Sequence, residues 1–259
     1  MIGIFDSGLG GLTVLEAARK LLPEADIVYV ADRGRAPYGP RPLPVVRGFA
    51  EEITECLLAL GSRAIVIACN SASAAALHHL RSLHPNVPFV GMEPAIKPAA
   101  TQTRSRVVGV LTTAATFQGE LLASVINRFA VGIEVVGEIC DGWVELVESG
   151  VVEGTEVDTA VQRHVEPLIE KGADTLVLGC THYPFLMPAI QRVAGPEVTV
   201  IDPSVAVARR VSHVALENDL ARGTGSIRLL ASGALEGLSE IVDRLSGLAV
   251  NPEPLTCME

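Results

Sequence analysis

The sequence predicts an α/β fold in which mainly parallel sheets are covered by helices on both faces. Three observations lead there. Short apolar runs alternate with helical patterns throughout the chain, the order expected of strand–helix–strand units. The 259 residues are 49% hydrophobic and 19% charged, ordinary for a globular chain and enough for one large core or two smaller ones. A faint internal repeat favours two: GIFDSGLGG near the start resembles GVLTTAATF near residue 109, and AIVIACNSAS resembles TLVLGCTHYP.

Strands are expected at 2–5, 27–31, 64–68, 89–92, 107–111, 133–139, 175–178, 198–201 and 227–231. Asp6-Ser7 ends the first and Asp32 the second. A helix is expected over 44–60, where Val45, Phe49, Ile53, Leu57 and Leu60 recur at three- and four-residue steps, the mark of one apolar face. Cys56 neighbours that stripe and reads as a packing residue. The third strand stops at Cys69, and SASAAAL beyond it reads as a helix start; TLVLG stops in the same way at Cys180. After Asp202-Pro203-Ser204, the helical VAVARRVSHVALEN leads to a last strand, IRLLAS, and a last helix, LEGLSEIVDRLSGL. The simplest division gives that tail back to the first half. One α/β domain then spans 1–97 plus 208–259 and the other 98–207.

Composition excludes several classes. A net charge of −10 argues against a nucleic-acid partner, which needs clustered Lys and Arg. Only RGRAPYGPRP is locally basic, and on charge alone it reads as a solvated loop. No apolar run reaches the roughly 18 residues of a membrane span, and no secretory signal pattern is seen at the start. Five cysteines, an odd number without compact spacing, do not look like a disulfide framework. A reducing cytoplasm is the expected home. Neither CxxC nor a His/Cys cluster at zinc spacing is present, so no metal is expected.

The repeat gives the cysteines their interest. A free cysteine is usually a packed one, but Cys69 and Cys180 occupy matching strand ends, where open α/β sheets bind ligands. If the halves face each other, both thiols look into one cleft. One thiolate can then remove a proton from carbon while the other thiol delivers a proton to the opposite face. Each thiol precedes an expected helix start, where the dipole and free N–H groups favour the anion. Pro184 suits the first turn of the second helix. His182, two residues after Cys180, can exchange a proton with it or stabilise its anion. Asp6 and Asp32 could hold an ammonium or modulate a thiol, although strand-end aspartates often only begin turns. DSGLGG could cradle a phosphate, but it lacks the P-loop lysine and GxGxxG spacing. The loop better suits a small zwitterion.

Taken in order, DSGLGGLTV, ADRGRAPYG, ACNSASA, GVLTTAAT and LGCTHYP resemble the glutamate racemases over nearly the whole chain. The resemblance implies two pseudo-symmetric, flavodoxin-like three-layer domains with the active site in the cleft between them. It implies interconversion of L- and D-glutamate by two thiols without a cofactor, supply of D-glutamate to bacterial peptidoglycan, and commonly a homodimer. Matched motif by motif, Cys69 and Cys180 are the acid–base pair, with Cys69 facing D-glutamate and Cys180 L-glutamate. Asp6 and Ser7 match the substrate-amino and proton-handling pair. Tyr38 and Gly39 match the loop that helps hold the side-chain carboxylate. Asn70, Ser71, Thr113, Thr116 and Thr181 match the polar ring around the substrate, and Asp32, Glu148 and His182 the auxiliary groups that tune the thiols.

Two departures stand out. Ser71 replaces a usual threonine, and ICDGWVELVESG replaces a segment that usually has a proline after the cysteine and another before LVE. Cys140 matches a non-catalytic family cysteine. The alternatives are an aspartate racemase, a related two-cysteine isomerase of hydantoins or maleate, a thiol-redox protein, or a binding and regulatory relative of the kind that inhibits DNA gyrase.

Overall fold

The computed structural model describes residues 1–257, which form two sheets in which every strand pairing is parallel. The first half opens with β1 (Ile2–Asp6), α1 (Leu12–Leu21), β2 (Ile27–Ala31), α2 (Leu43–Ala59), β3 (Ala64–Ile67), α3 (Asn70–Leu83) and β4 (Phe89–Gly91). The chain then crosses to the second half. There it runs through α4 (Ile96–Gln102), β5 (Val107–Thr112), α5 (Ala114–Gln118), α6 (Glu120–Phe129), β6 (Glu134–Ile139) and α7 (Trp143–Glu148). The same half continues with α8 (Thr155–Glu170), β7 (Thr175–Leu178), α9 (Met187–Ala194) and β8 (Thr199–Ile201). It returns through α10 (Ser204–Glu217), which packs on α1, to β9 (Ile227–Ala231), α11 (Leu238–Ser246) and a two-residue strand β10 (Glu253–Pro254).

The strand orders are β10-β9-β2-β1-β3-β4 and β6-β5-β7-β8. The central strands β1, β2, β3 and β7 are buried along their whole length, as apolar runs covered on both faces must be. One core of the first half joins the sheet to α1, α10 and α11, and another joins it to α2 and α3. In the second half one core lies under α7, α8 and α9 and another under α4 and α6. Register then aligns the carboxyl ends. Asp6 pairs with Ala31 and Phe5 with Ile67 in the first sheet; Leu111 pairs with Leu178 and Thr112 with Ile139 in the second. Asp32, Cys69, Thr113, Cys140 and Cys180 therefore all follow strand ends on the ligand-binding edges.

Three local expectations change. On α2 the buried stripe is Val46, Ala50, Ile53 and Leu57, while Val45 is exposed. The rest of the expected stripe does face the core: Ile53 and Leu57 are buried in it, and Phe49 and Leu60 pack against it partly buried, with the Arg35 and Arg41 guanidinium groups 4.2 and 5.5 Å from the Phe49 ring centroid. Cys56 is no lone packing residue: it is disulfide-bonded to Cys257, with their Cα atoms 5.6 Å apart. The pairing is made by β10, which the sequence reading lacked. Leu255 follows it, donating its N–H to Ala231 O at 2.9 Å and burying its side chain against the α2 core. Finally, RGRAPYGPRP is not a solvated loop, because its arginines all find partners. Among the described residues no helix is long and apolar enough to cross a membrane.

Candidate active site

Cys69 caps α3. Its backbone is extended, and its sulfur accepts the Ala72 N–H at 3.5 Å. The thiol donates toward Ser7 Oγ, 3.9 Å from the sulfur. The helix end does supply a donor, as the sequence led one to expect, but burial dominates. Burial and the nearby Asp6 carboxylate push the Cys69 thiol well above its ordinary value, against the opposing Ala72 N–H. Cys69 is thus held as a neutral thiol.

Cys180 is built differently. It precedes a 3₁₀ turn, Tyr183–Leu186, and α9 starts only at Met187, so no α-helical N-terminus addresses this sulfur. Pro184 lies within the 3₁₀ turn. A buried imidazole serves instead. Burial presses His182 toward neutrality, but the Cys180 sulfur and the Glu148 carboxylate outweigh it and hold the ring protonated, well above its ordinary value. The imidazolium donates from Nε2 to Glu148 Oε1 at 2.7 Å and from Nδ1 toward Cys180 Sγ at 3.7 Å. Glu148 is itself kept below the usual carboxylate range. Burial works against that, but His182, the Leu9 N–H and Arg33 prevail.

The two halves meet here. Leu9 N–H donates to Glu148 Oε1 at 2.5 Å and Arg33 Nε to Oε2 at 2.9 Å. Thr181 Oγ1 donates to Asp6 Oδ1 at 3.4 Å, and Ala115 N–H to Gly39 O at 2.9 Å. The glycines of DSGLGG permit this approach: a Cβ on Gly8 would lie 2.1 Å from Glu148 Oε1, and one on Gly10 2.4 Å from His182 Nδ1. The loop therefore serves contact across the cleft rather than a phosphate. Charge on Cys180 adds to the upward push on the Cys69 thiol.

A buried chain of hydroxyls joins the start of α3 to α5. Ser71 Oγ is 3.0 Å from Thr113 Oγ1, which donates to Thr116 Oγ1 at 3.1 Å. Asn70 is buried with neither side-chain oxygen nor nitrogen hydrogen-bonded. An unmatched buried amide costs about 1–3 kcal/mol, so it marks a position where a polar ligand group gains most. Asp6 is fully buried; burial raises its carboxyl, His182 and the Gly11 N–H pull it back, and the net direction is upward.

Asp32 is fully buried at the end of β2, and its N–H donates to Asp6 O at 3.0 Å. It accepts from Tyr38 Oη, from Arg35 Nε at 2.6 Å and from Ser232 Oγ at 2.6 Å. It anchors the loop that carries Tyr38 and Gly39, with the Tyr38 ring 5.4 Å from that of Phe49. Cys140 is buried, with its sulfur 3.6 Å from Glu138 O, and burial pushes its thiol up. It packs beside the site. Sequence reasoning missed Leu9 and Arg33; the one available signal was a basic residue directly after a strand-end aspartate.

Three comparisons bear on this geometry. The family model described as Asp/Glu/Hydantoin racemase matches residues 13–211. The chain is 45% identical over 248 residues to a glutamate racemase of Roseiflexus sp. (strain RS-1), covering 94% of this chain and 91% of that one. It is 48% identical over 235 residues to a glutamate racemase of Herpetosiphon aurantiacus, covering 90% and 92%. Its fold superposes with a TM-score of 0.86 on a glutamate racemase from Francisella tularensis in complex with D-glutamate, at 28% identity, covering 99% and 97%.

Proposed function

The chain belongs to the Asp/Glu/hydantoin racemase family, and from that premise we propose that it interconverts L- and D-glutamate with Cys69 and Cys180 as its two acid–base groups. The observation that carries the reading is the pair of thiols at the carboxyl ends of β3 and β7, gathered into one buried cluster with Asp6, Glu148 and His182.

With L-glutamate, the Cys180 thiolate takes the α-proton, and the electron pair left on carbon is drawn into the α-carboxylate. The Cys69 thiol gives its proton to the opposite face, leaving a thiolate there and a thiol at Cys180. D-glutamate runs the steps in reverse. Burial and Asp6 keep Cys69 protonated, the form a donor needs, while the His182 proton beside Cys180 balances charge on that sulfur. Asp6 and Ser7 take the substrate ammonium, and the Tyr38-Gly39 loop its side-chain carboxylate. Asn70, Ser71, Thr113, Thr116 and Thr181 take the α-carboxylate, with Asn70 gaining the partners it lacks. Asp32 acts by anchoring the Tyr38 loop.

The same reading holds the two domains at 1–97 plus 208–259 and 98–207, with one boundary at the start of α4 and the other within α10. It makes the protein a cytoplasmic homodimer that supplies D-glutamate for peptidoglycan. In that compartment the Cys56–Cys257 bond would be open to reduction.

The test is L-glutamate in D₂O without added cofactor. D-glutamate carrying solvent deuterium at the α-carbon is expected, with turnover falling about 10²–10⁴-fold in each of Cys69→Ser and Cys180→Ser. Exchange without inversion would remove the two-face mechanism, and preferential racemisation of aspartate would replace the substrate.

A further inference from the structure

We propose that Arg33 is a positioning residue for the Cys180 side of the reaction: from the opposite half of the molecule it holds Glu148 against His182, so that the imidazole is set for Cys180 only when the halves are together. The proposal rests on the racemase reading and adds to it a residue from the loop after β2.

Every nitrogen of the guanidinium is used. Nε donates to Glu148 Oε2 at 2.9 Å, Nη2 to the Glu148 carbonyl at 3.2 Å and Nη1 to the Ala234 carbonyl at 3.4 Å. Two of these bonds cross from the first half to the second, and the third ties the arginine to its own half. The 3₁₀ turn that presents it, Arg33–Arg35, is fixed at the next residue, where Gly34 N–H donates to Ser232 Oγ at 2.9 Å. The side chains of Arg33 and Glu148 are only 20% and 14% exposed, so the pair is shielded from most solvent screening.

Glu148 needs such a partner. It is the last residue of α7, where the helix dipole is negative and carbonyls lack helical donors. A carboxylate there is unfavourable, and Arg33 answers both faults with one charge and a donor to the terminal carbonyl. The groups facing Glu148 are His182 from the loop after β7, Arg33, Asp6 from the end of β1 and Tyr29 from β2, with Cys180 beyond the imidazole. Arg33 and His182 are the cations in that set, and Asp6 opposes them. Without Arg33, Oε2 loses its donor and α7 a tether, and only the Leu9 N–H is left beside His182 to hold the Glu148 carboxylate. A rigid fork matters here, because lysine supplies the charge but not the three divergent bonds.

The experiment measures kcat and KM for both enantiomers, and α-deuterium isotope effects on kcat/KM, in wild type, Arg33→Ala and Arg33→Lys. Arg228→Ala, which breaks an exposed ion pair with Glu253 at the far sheet edge, serves as control and should match wild type. The expected result for Arg33→Ala is about a tenfold fall in kcat, well short of losing an acid–base group, with KM changed less. The isotope effect should rise with L-glutamate, whose α-proton goes to Cys180, and fall with D-glutamate, where Cys69 breaks the bond and delivery from Cys180 lags. Arg33→Lys should lie between wild type and Arg33→Ala. Unchanged kcat, or a loss that leaves both isotope effects where they were, would overturn the proposal. Wild type inert toward both enantiomers would instead remove the reading beneath it, and is told apart because the parent protein fails before any variant is made.

Discussion

Cys69 and Cys180 stand at equivalent points of two repeated strand–loop–helix units, yet their surroundings have almost nothing in common. The first is served by backbone: an α-helix N-terminus donates through the Ala72 N–H, and Asp6 lies close by. The second faces a short 3₁₀ turn and is served by side chains in series, His182, then Glu148, then Leu9 N–H and Arg33 from across the cleft. A repeat can place two thiols symmetrically and leave their electrostatics free to diverge.

The sharpest way to break the comparison is to remove the imidazole. His182→Asn is expected to lower kcat by about 100-fold, and the α-deuterium isotope effect should rise with L-glutamate and not with D-glutamate. Asp6→Asn should show the opposite pattern if Asp6 serves the Cys69 side. Equal changes in both directions, measured by circular dichroism of racemisation, would erase the distinction drawn here.

Crowding the contact between the halves comes next. Gly10→Ala puts a Cβ 2.4 Å from His182 Nδ1, so the loop and the imidazole must separate. A destabilisation of about 1–3 kcal/mol is expected from such overpacking, read by urea unfolding, together with a fall in kcat. Gly48→Ala, on α2 with nothing within 4 Å of its Cβ, should instead be neutral or stabilising.

The imidazole–carboxylate pair also predicts a stability profile with pH. His182 is held above its ordinary value of 6.5, so its contribution is complete below about pH 6.5 and is lost as pH rises through its raised folded-state value. Glu148 is held below its ordinary value of 4.5, so its contribution is present above that value and is lost as pH falls through the lowered one. The pair is therefore at full strength between the two. Glu148→Gln should flatten the decline on the alkaline side, followed by thermal unfolding from pH 6 upward; an unchanged slope would show that His182 owes its charge to other groups.

The smallest effect belongs to the third buried thiol. Cys140→Ala should leave kcat within about twofold while lowering Tm slightly through lost packing. A large loss of turnover would make the site a three-thiol one.

Much of this was legible in the amino-acid order, for reasons that differ residue by residue. The nine expected strands all form, the central ones legible because buried parallel strands read as continuous apolar runs. The thiols declared themselves through the repeat. Glu148, in a segment that departs from the family pattern, nevertheless reaches His182, since α7 closes over the same strand ends. What stayed hidden depends on distant partners. The Arg33–Glu148 pair joins residues 115 apart, and nothing in ADRGR names its acceptor. On α2 only the first turn differs from the expected stripe, with Val46 buried and Val45 exposed, because nothing local separates two adjacent valines.

The disulfide carries a last consequence. By joining positions 201 apart, Cys56–Cys257 makes most of the polypeptide, with the entire second sheet, a covalent ring from which the N-terminal strands and α2 lead in as a tail. A protease that nicks any one exposed loop of that ring only linearises it. The pieces stay attached through sulfur, and only a reductant acting after the cut lets them part.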